Sequence, residues 1–97
     1  MKAYMYILLC ADRSYYVGST TDLDERVLKH QLLQGSNHTR KHLPAKLVYF
    51  EEYHRIDDAF HREKQVQRWS RKKKEALINR QFDKLRELSR NYTQFPR

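Results

Sequence analysis

A glutamate stands in an unexpected position within a segment that the sequence predicts to be a helix. At about 100° per residue, the apolar residues of this segment gather on one side of the helix. They are Ala59, Phe60, Val66 and Trp69. Glu63 projects from between them, on the face that should pack against the core, where a carboxylate without a partner costs several kcal/mol. Two partners fit: an arginine or lysine from elsewhere in the chain, which this helix alone favours, or a divalent cation.

An arginine and a histidine form a second unusual pair. Arg26 and His30 are four residues apart, so on a helix they are surface neighbours beside the apolar Leu23 and Val27. They would form either a structural pair or an anion-binding pair that faces a site. The pair alone favours the structural interpretation.

Tyrosines cluster near one of the two glycines of the chain. Tyr4 and Tyr6 share a face of a predicted strand because side chains alternate along it, and Tyr16 lies just before Gly18. Glycine permits either a close approach of the backbone or unusual backbone dihedrals, so Gly18 is expected to have a specific role. The alternative is that these tyrosines fill a half-buried sheet, where aromatic residues are favoured.

The elements that must position these side chains follow from apolar patterns and capping residues. Strands are predicted over 4–9, 15–18 and 46–53, the first two forming a hairpin. Helices are predicted from about 23 to 34, from 57 to 69 and from 71 to 78, with helical spacing continuing through Phe82, Leu85 and Leu88 and a frayed tail over 91–97. The order ββαβα plus a C-terminal helix predicts an α+β fold with a three-stranded, mostly antiparallel sheet flanked by helices.

Positive charge is concentrated in one part of the chain. The net charge is +8; residues 1–60 are balanced, while 61–80 carry eight basic against two acidic side chains. This pattern favours a polyanionic partner, most often nucleic acid, although a solvated helix face would look similar. No apolar run approaches the roughly 20 residues of a membrane span. A single cysteine excludes an internal disulfide and a cysteine-cluster zinc site, which suits the cytoplasm.

Taken together, these residues resemble the GIY-YIG nuclease domain. The resemblance rests on Tyr4-Met5-Tyr6, then Tyr16-Val17-Gly18, then Arg26, His30 and a later helical Glu63, in the order and spacing of that family. It covers residues 2 to about 80 and is closest to the small stand-alone bacterial members. We therefore expect a GIY-YIG domain over 1–80, with 81–97 as the C-terminal helix and tail of the same domain.

The resemblance implies hydrolysis of phosphodiester bonds in DNA with a divalent metal, for example in DNA repair or processing. The residues that match the family's catalytic positions are Tyr6, Tyr16, Arg26, His30 and Glu63, with Glu63 as the ligand of Mg²⁺ or Mn²⁺. Magnesium uses oxygen ligands and often only one or two carboxylates, so a single glutamate suffices. Arg26 would steady the charge that builds on the phosphate. The alternative is a nucleic-acid-binding module of the same fold with weak or lost catalysis.

The general base is a separate question. A free phenol has a pKa near 10, so holding a tyrosinate at pH 7 costs roughly 4 kcal/mol. His30, with an ordinary pKa near 6.5, can accept a proton at almost no cost. We hypothesise that Tyr6 positions the attacking water and passes its proton toward His30, while Tyr16 orients the phosphate or the water.

Two positions depart from the family pattern. Tyr4 and Met5 stand where the family has glycine and isoleucine, as in many stand-alone members. A late asparagine supports the site in some relatives, and neither Asn79 nor Asn91 aligns with it convincingly.

Nucleic-acid contacts are expected from a basic loop and from the basic helical region. These residues are Thr39, Arg40, Lys41, Arg68, Arg71, Lys72 and Lys73. No base-reading motif accompanies them, which suggests recognition of the backbone or of shape. The form of DNA stays open, RNA is an alternative substrate, and a protein partner would be one source of specificity. The sequence does not predict an oligomeric state.

Overall fold

The computed structural model describes the backbone of residues 1–31 and 45–94, and the side chains of these residues except 30–31 and 89–94. Three of the predicted phosphate contacts, Thr39, Arg40 and Lys41, lie outside the described residues. The side chain of His30 also lies outside them.

The predicted three-stranded sheet is confirmed and is antiparallel throughout. Its strands are β1 (Ala3–Leu9), β2 (Tyr15–Thr20) and β3 (Lys46–Tyr53), in the spatial order β2-β1-β3. In the pairing of β1 with β2, Tyr6 lies opposite Gly18. The spatial order makes β2 an edge strand. It extends two residues past Gly18, into Ser19 and Thr20.

Four helices occur in the described residues. They are α1 (Leu23–Gln31), α2 (Ile56–Gln67), α3 (Arg71–Ile78) and α4 (Phe82–Gln94). The Ser70 side chain caps α3 by accepting a hydrogen bond from the backbone N–H of Lys73 at 3.2 Å. Helix α4 continues through residues 91–94, where the sequence had predicted a tail. None of these helices combines the length and the apolar character needed to cross a membrane.

The chain divides into two compact units, Met1–Gln67 and Arg68–Arg97. The first contains the sheet with α1 and α2, and the second contains α3 and α4. The first has ten basic and nine acidic side chains, whereas the second has ten basic and three acidic ones, so the second carries +7 of the net +8. The domain boundary near residue 80 stays a prediction.

The two sides of the sheet in the first unit pack against different helices. On one side, Tyr6 and Leu8 form a buried cluster with Cys10 and Ala45, covered in part by Val27 of α1. On the other side, Met5 and Ile7 of β1 are completely buried, as are Ala59 and Val66 of α2.

The predicted apolar face of α2 is correct only in part. Ala59 and Val66 are completely buried, but Phe60 is 46% exposed, and α2 ends at Gln67, before Trp69. Phe60 lies 100° from Ala59 around the helix, far enough to leave the contact with the sheet.

Glu51 ties β3 to α2 through a partly buried network. Its carboxylate accepts hydrogen bonds from the Tyr49 hydroxyl at 2.7 Å and the Tyr53 hydroxyl at 2.5 Å. It also accepts two from the Arg62 guanidinium of α2, at 2.9 and 3.2 Å. Burial by itself would raise the pKa of Glu51, but the hydrogen bonds from Arg62, Tyr53 and Tyr49 outweigh it and the pKa is lowered.

Because its folded-state pKa is lowered, Glu51 contributes stability above the ordinary glutamate pKa and loses it as the pH falls through the folded-state value. We expect Glu51→Gln to lower the free energy of unfolding at pH 7 by about 1–3 kcal/mol, because the charged pairing with Arg62 is lost. The same variant should lose less stability than the wild type between pH 6 and pH 3. Urea unfolding at several pH values measures both effects. The control is Glu52→Gln, which alters an exposed neighbour; equal losses in the two variants would contradict the assignment.

Candidate active site

Tyr6 occupies the centre of the candidate site because Gly18 leaves room for it. The Tyr6 ring lies across Gly18, where an added Cβ would stand 2.5 Å from the Tyr6 Oη and 2.6 Å from its Cζ. No Cβ is tolerated at such distances without movement of the ring. Gly18 has no positive φ, so the requirement for glycine comes from this close approach and not from backbone conformation.

Three of the other predicted site residues act on the Tyr6 phenol. Burial is the largest effect and raises the pKa of Tyr6 well above its ordinary value, and the nearby Tyr16 phenol and Glu63 carboxylate raise it further. The charge of Arg26 and a hydrogen bond between the two side chains lower it in part. Since arginine has no acceptor, Arg26 donates and the Tyr6 Oη accepts. Tyr6 is therefore protonated at neutral pH and hydrogen-bonded to the arginine.

Tyr6 is also completely buried, with 0% of its surface exposed. A site that acts on a phosphate of DNA is expected to be open to solvent. The ring instead packs into the buried cluster with Leu8 and Cys10. A phenol in this environment is better placed to orient its neighbours than to exchange protons with bulk water.

Tyr16 lies beside Tyr6 on the same side of the sheet. Tyr16 is opposite Leu8 in the pairing of β1 with β2, and Tyr6 is opposite Gly18, so the two tyrosines share a face. Their ring centroids are 6.3 Å apart with an interplanar angle of 39°. Tyr16 is half-buried, so it combines contact with Tyr6 and access to solvent.

Arg26 is positioned by the tight connection between β2 and α1. The buried Thr20 at the end of β2 accepts a hydrogen bond from the Asp22 N–H at 3.0 Å. Asp22 in turn accepts one from the Glu25 N–H at 3.1 Å and thus caps α1. Arg26 then lies one turn into the helix, partly buried, within hydrogen-bonding reach of Tyr6. His30 follows one turn later in α1.

Glu63 approaches β2 from α2, and neutral groups meet its carboxylate. The Ser19 hydroxyl donates to Oε1 at 2.5 Å, and the Gln67 amide donates to Oε2 at 2.8 Å. Gln67 also donates to the backbone carbonyl of Val17 at 3.2 Å, which fixes the end of α2 to the strand. The Lys64 ammonium is 3.6 Å from Oε2, but that side chain is 51% exposed, whereas the Glu63 side chain is 12% exposed. Among the described residues, no arginine or lysine from another element meets Glu63, so the partner that the helix alone favoured is not found there.

The edge strand β2 is thus contacted by the candidate residues from both sides. Ser19 lies opposite Met5 and Gly18 opposite Tyr6, so the side chain of Ser19 points to the face opposite the Tyr6 ring. Glu63 nevertheless acts electrostatically on Tyr6.

The Glu63 carboxylate keeps acceptor positions that a hard divalent cation can use, although the described residues hold no group of three or more His, Cys, Asp or Glu side chains that could bind a metal ion. An ionised carboxylate has about four acceptor positions, and Ser19 and Gln67 use one on each oxygen. Lys64 is a weak, solvent-screened competitor. Mg²⁺ and Mn²⁺ prefer oxygen ligands and complete their shells with water or phosphate. Within the described residues, a cation here would have Glu63 as its carboxylate ligand.

The remaining predicted phosphate contacts belong to the second unit. Arg68 and Lys72 are exposed, Arg71 pairs with Glu75 at 3.2 Å, and Lys73 lies against the Trp69 ring.

Sequence reasoning missed Ser19 and Gln67, the two side chains that donate hydrogen bonds to Glu63. Gln67 carries a readable signal, since it follows Glu63 by four residues on one helix face. Ser19 carries none, because its contact spans 44 residues.

The sequence model of the GIY-YIG catalytic domain matches residues 2–76. The chain therefore belongs to the GIY-YIG family, a family of nucleases that act on DNA.

Similar chains are small bacterial and archaeal proteins. A UPF0213 protein of Streptococcus pneumoniae is 39% identical over 83 residues, covering 86% of this chain and 84% of that protein. A UPF0213 protein of Haloquadratum walsbyi is 38% identical over 80 residues, covering 82% of this chain and 90% of that protein. The solution NMR structure of UPF0213 protein BH0048 from Bacillus halodurans has a TM-score of 0.53 and 40% identity, and covers 81% of this chain and 84% of that one.

Proposed function

We propose that this protein is a divalent-metal-dependent endonuclease that hydrolyses phosphodiester bonds in DNA. The observation that carries the proposal is the arrangement at β2: Tyr6 lies against Gly18 and beside Tyr16, Arg26 of α1 is hydrogen-bonded to Tyr6, and Glu63 of α2 accepts from Ser19. Tyrosines, an arginine and a carboxylate grouped around one edge strand match the needs of phosphate chemistry, which are positioning, charge stabilisation and a cation ligand.

Each side chain has a part in the proposed reaction. Arg26, held by Tyr6, donates to phosphate oxygens and stabilises the negative charge that develops on them. Glu63, held by Ser19 and Gln67, binds Mg²⁺ or Mn²⁺, which supplies Lewis-acid stabilisation of that charge. Tyr16 orients the phosphate or the attacking water.

A group other than Tyr6 removes the proton from the attacking water. Burial raises the pKa of Tyr6, so a tyrosinate is less accessible than in a free phenol. His30 is the candidate base, and Tyr6 and Arg26 hold the water and the phosphate in position. The proposed product pair is a phosphate monoester and a hydroxyl end, as in hydrolysis by a positioned water.

Cleavage of several DNA forms tests the proposal. Supercoiled, linear duplex, branched and single-stranded DNA would be incubated with the protein in Mg²⁺, in Mn²⁺ and in EDTA. We expect cleavage of at least one form in the presence of metal and none in EDTA. Cleavage that persists in EDTA would contradict metal dependence.

A second candidate is a nucleic-acid-binding module without cleavage. The complete burial of Tyr6 and the small exposed fraction of the Glu63 side chain favour it. Binding with no cleavage of any DNA or RNA form under any metal condition would select this alternative. Either way, affinity should fall steeply with salt, because phosphate contacts release counterions.

The role of His30 gives a separate prediction. If neutral His30 accepts the proton, the rate of the wild type should rise with pH through the histidine pKa, near 6.5, and then level. His30→Ala should remove that limb and shift the pH–rate profile toward higher pH, while DNA affinity at pH 7.5 changes little. An unchanged profile in the variant would contradict the relay.

A further inference from the structure

A cavity of about 370 Å³ lies against the single tryptophan of the chain, within the second unit. The residues that line it are Arg68, Trp69, Ser70, Lys73 and Leu88. Its volume falls within the range of small-ligand sites, about 300–1,000 Å³. The proposed cleavage chemistry uses none of these side chains to act on the phosphate.

The walls of the cavity combine a flat aromatic surface with positive charge. Trp69 is half-buried, and the Lys73 ammonium lies 4.3 Å from its ring centroid, in cation–π contact. Leu88 of α4 supplies an aliphatic wall, and the exposed Arg68 adds a second cation. Ser70 is already engaged as the cap of α3.

These features specify the ligand chemistry. A flat apolar body fits between an indole and a leucine, and an anionic group fits beside Arg68 and Lys73. The +7 charge of this unit further favours a polyanion over a neutral ligand. A nucleotide within a nucleic acid has both parts, but its base is available for stacking only where the strand is unpaired.

We propose that the cavity at Trp69 binds an unpaired base of a nucleic acid strand, with the base stacked on the indole against Leu88. Lys73 then moves from the ring to a flanking phosphate, which Arg68 also contacts. The inference rests on the proposed function, because it takes nucleic acid as the ligand. It assigns to this protein a preference for strands that contain unpaired bases.

Because Trp69 is the only tryptophan, its fluorescence reports on this cavity directly. The probes are a thymidine oligodeoxynucleotide, an abasic oligomer of equal length and a blunt duplex with the same number of phosphates, all in EDTA. We expect the thymidine strand to quench the fluorescence, whereas the abasic oligomer and the duplex bind without comparable quenching. In anisotropy measurements, the single strand should bind roughly tenfold more tightly than the abasic oligomer.

Two variants separate stacking from folding. Trp69→Phe keeps an aromatic face and should retain most of the preference for the thymidine strand. Trp69→Leu keeps an apolar side chain without a π face and should lose roughly tenfold in affinity for that strand but little for the abasic oligomer. Circular dichroism of both variants checks that the helices persist.

The outcomes distinguish this inference from the proposed function. Equal binding and equal quenching by thymidine and abasic strands would overturn the inference, even if metal-dependent cleavage is observed. Equal losses of Trp69→Leu for both strands would overturn it as well. A base-dependent preference without any cleavage would support it while the endonuclease proposal fails. No binding to any oligomer in EDTA would overturn the inference, while the cleavage assay in Mg²⁺ and Mn²⁺ decides the proposed function separately.

Discussion

Glu63→Gln is expected to reduce metal-dependent DNA cleavage by about a thousandfold or more, because it removes the proposed carboxylate ligand of the cation. The fold should persist. The glutamine oxygen can still accept from Gln67, while its amide group donates to the Ser19 hydroxyl, so both contacts of Glu63 have neutral replacements. The loss should appear in the cleavage rate under single-turnover conditions, with DNA affinity in EDTA nearly unchanged.

The matched control for this prediction is Glu52→Gln. Glu52 is an exposed residue of β3 that pairs with Lys2 at 3.6 Å, a surface contact of little energetic weight. This variant should cleave at nearly the wild-type rate. Full activity in Glu63→Gln, or an equal loss in Glu52→Gln, would contradict the role of Glu63.

Gly18→Ala is expected to damage both stability and activity. The added methyl group would stand 2.5 Å from the Tyr6 Oη, and Tyr6 is completely buried, so the ring must shift within a packed core. Overpacking of this kind costs about 1–3 kcal/mol. The shift also moves the phenol away from Arg26, and a displacement near 1 Å at a catalytic group lowers the rate by about a hundredfold. Chemical unfolding and cleavage kinetics measure the two effects.

A double-mutant cycle with Tyr6→Leu isolates the cause of the Gly18→Ala defect. Leucine lacks the ring atoms that approach Gly18 most closely, so the stability cost of Gly18→Ala should be much smaller in that background. If the cost is the same in both backgrounds, the glycine is required for some reason other than the Tyr6 ring.

Local patterns were sufficient to predict the sheet and the positions of several helices. The third strand and α3 were predicted with the bounds that the structure has, since strong β-forming residues define the strand and Ser70 marks the start of the helix. For Gly18 the sequence predicted either a close approach or an unusual backbone conformation; the structure shows the close approach, and its partner, Tyr6, depends on the strand register. Register is set by pairing across the hairpin and is not visible in either strand alone.

The surroundings of Glu63 were beyond what helical periodicity can predict. Periodicity placed the residue on the packed face, where it is indeed 12% exposed. It could not tell that the partner is a serine on an edge strand, because that contact depends on how α2 lies on the sheet. The same limitation explains Phe60, which the pattern assigned to the core although it is exposed, and Trp69, which lies beyond the end of α2.

The accessibility of the site was also not predictable from the sequence. The residue types indicated phosphate chemistry and hence an open pocket. In the structure, the Tyr6 ring fills the space over Gly18 and belongs to the buried cluster. Side-chain packing decides whether a phenol meets water or the core, and no pattern in a single strand specifies that choice.

Paramagnetic broadening by Mn²⁺ tests the central claim most directly, that Glu63 is the cation ligand beside the Tyr6–Arg26 pair. The protein has a mass of 11.9 kDa, so its backbone amide resonances are accessible to NMR. Substoichiometric Mn²⁺ should selectively broaden the amides of Gly18, Ser19 and the residues of α2 around Glu63 in the wild type, and should not do so in Glu63→Gln. Broadening centred elsewhere, or the same broadening in the variant, would contradict the assignment.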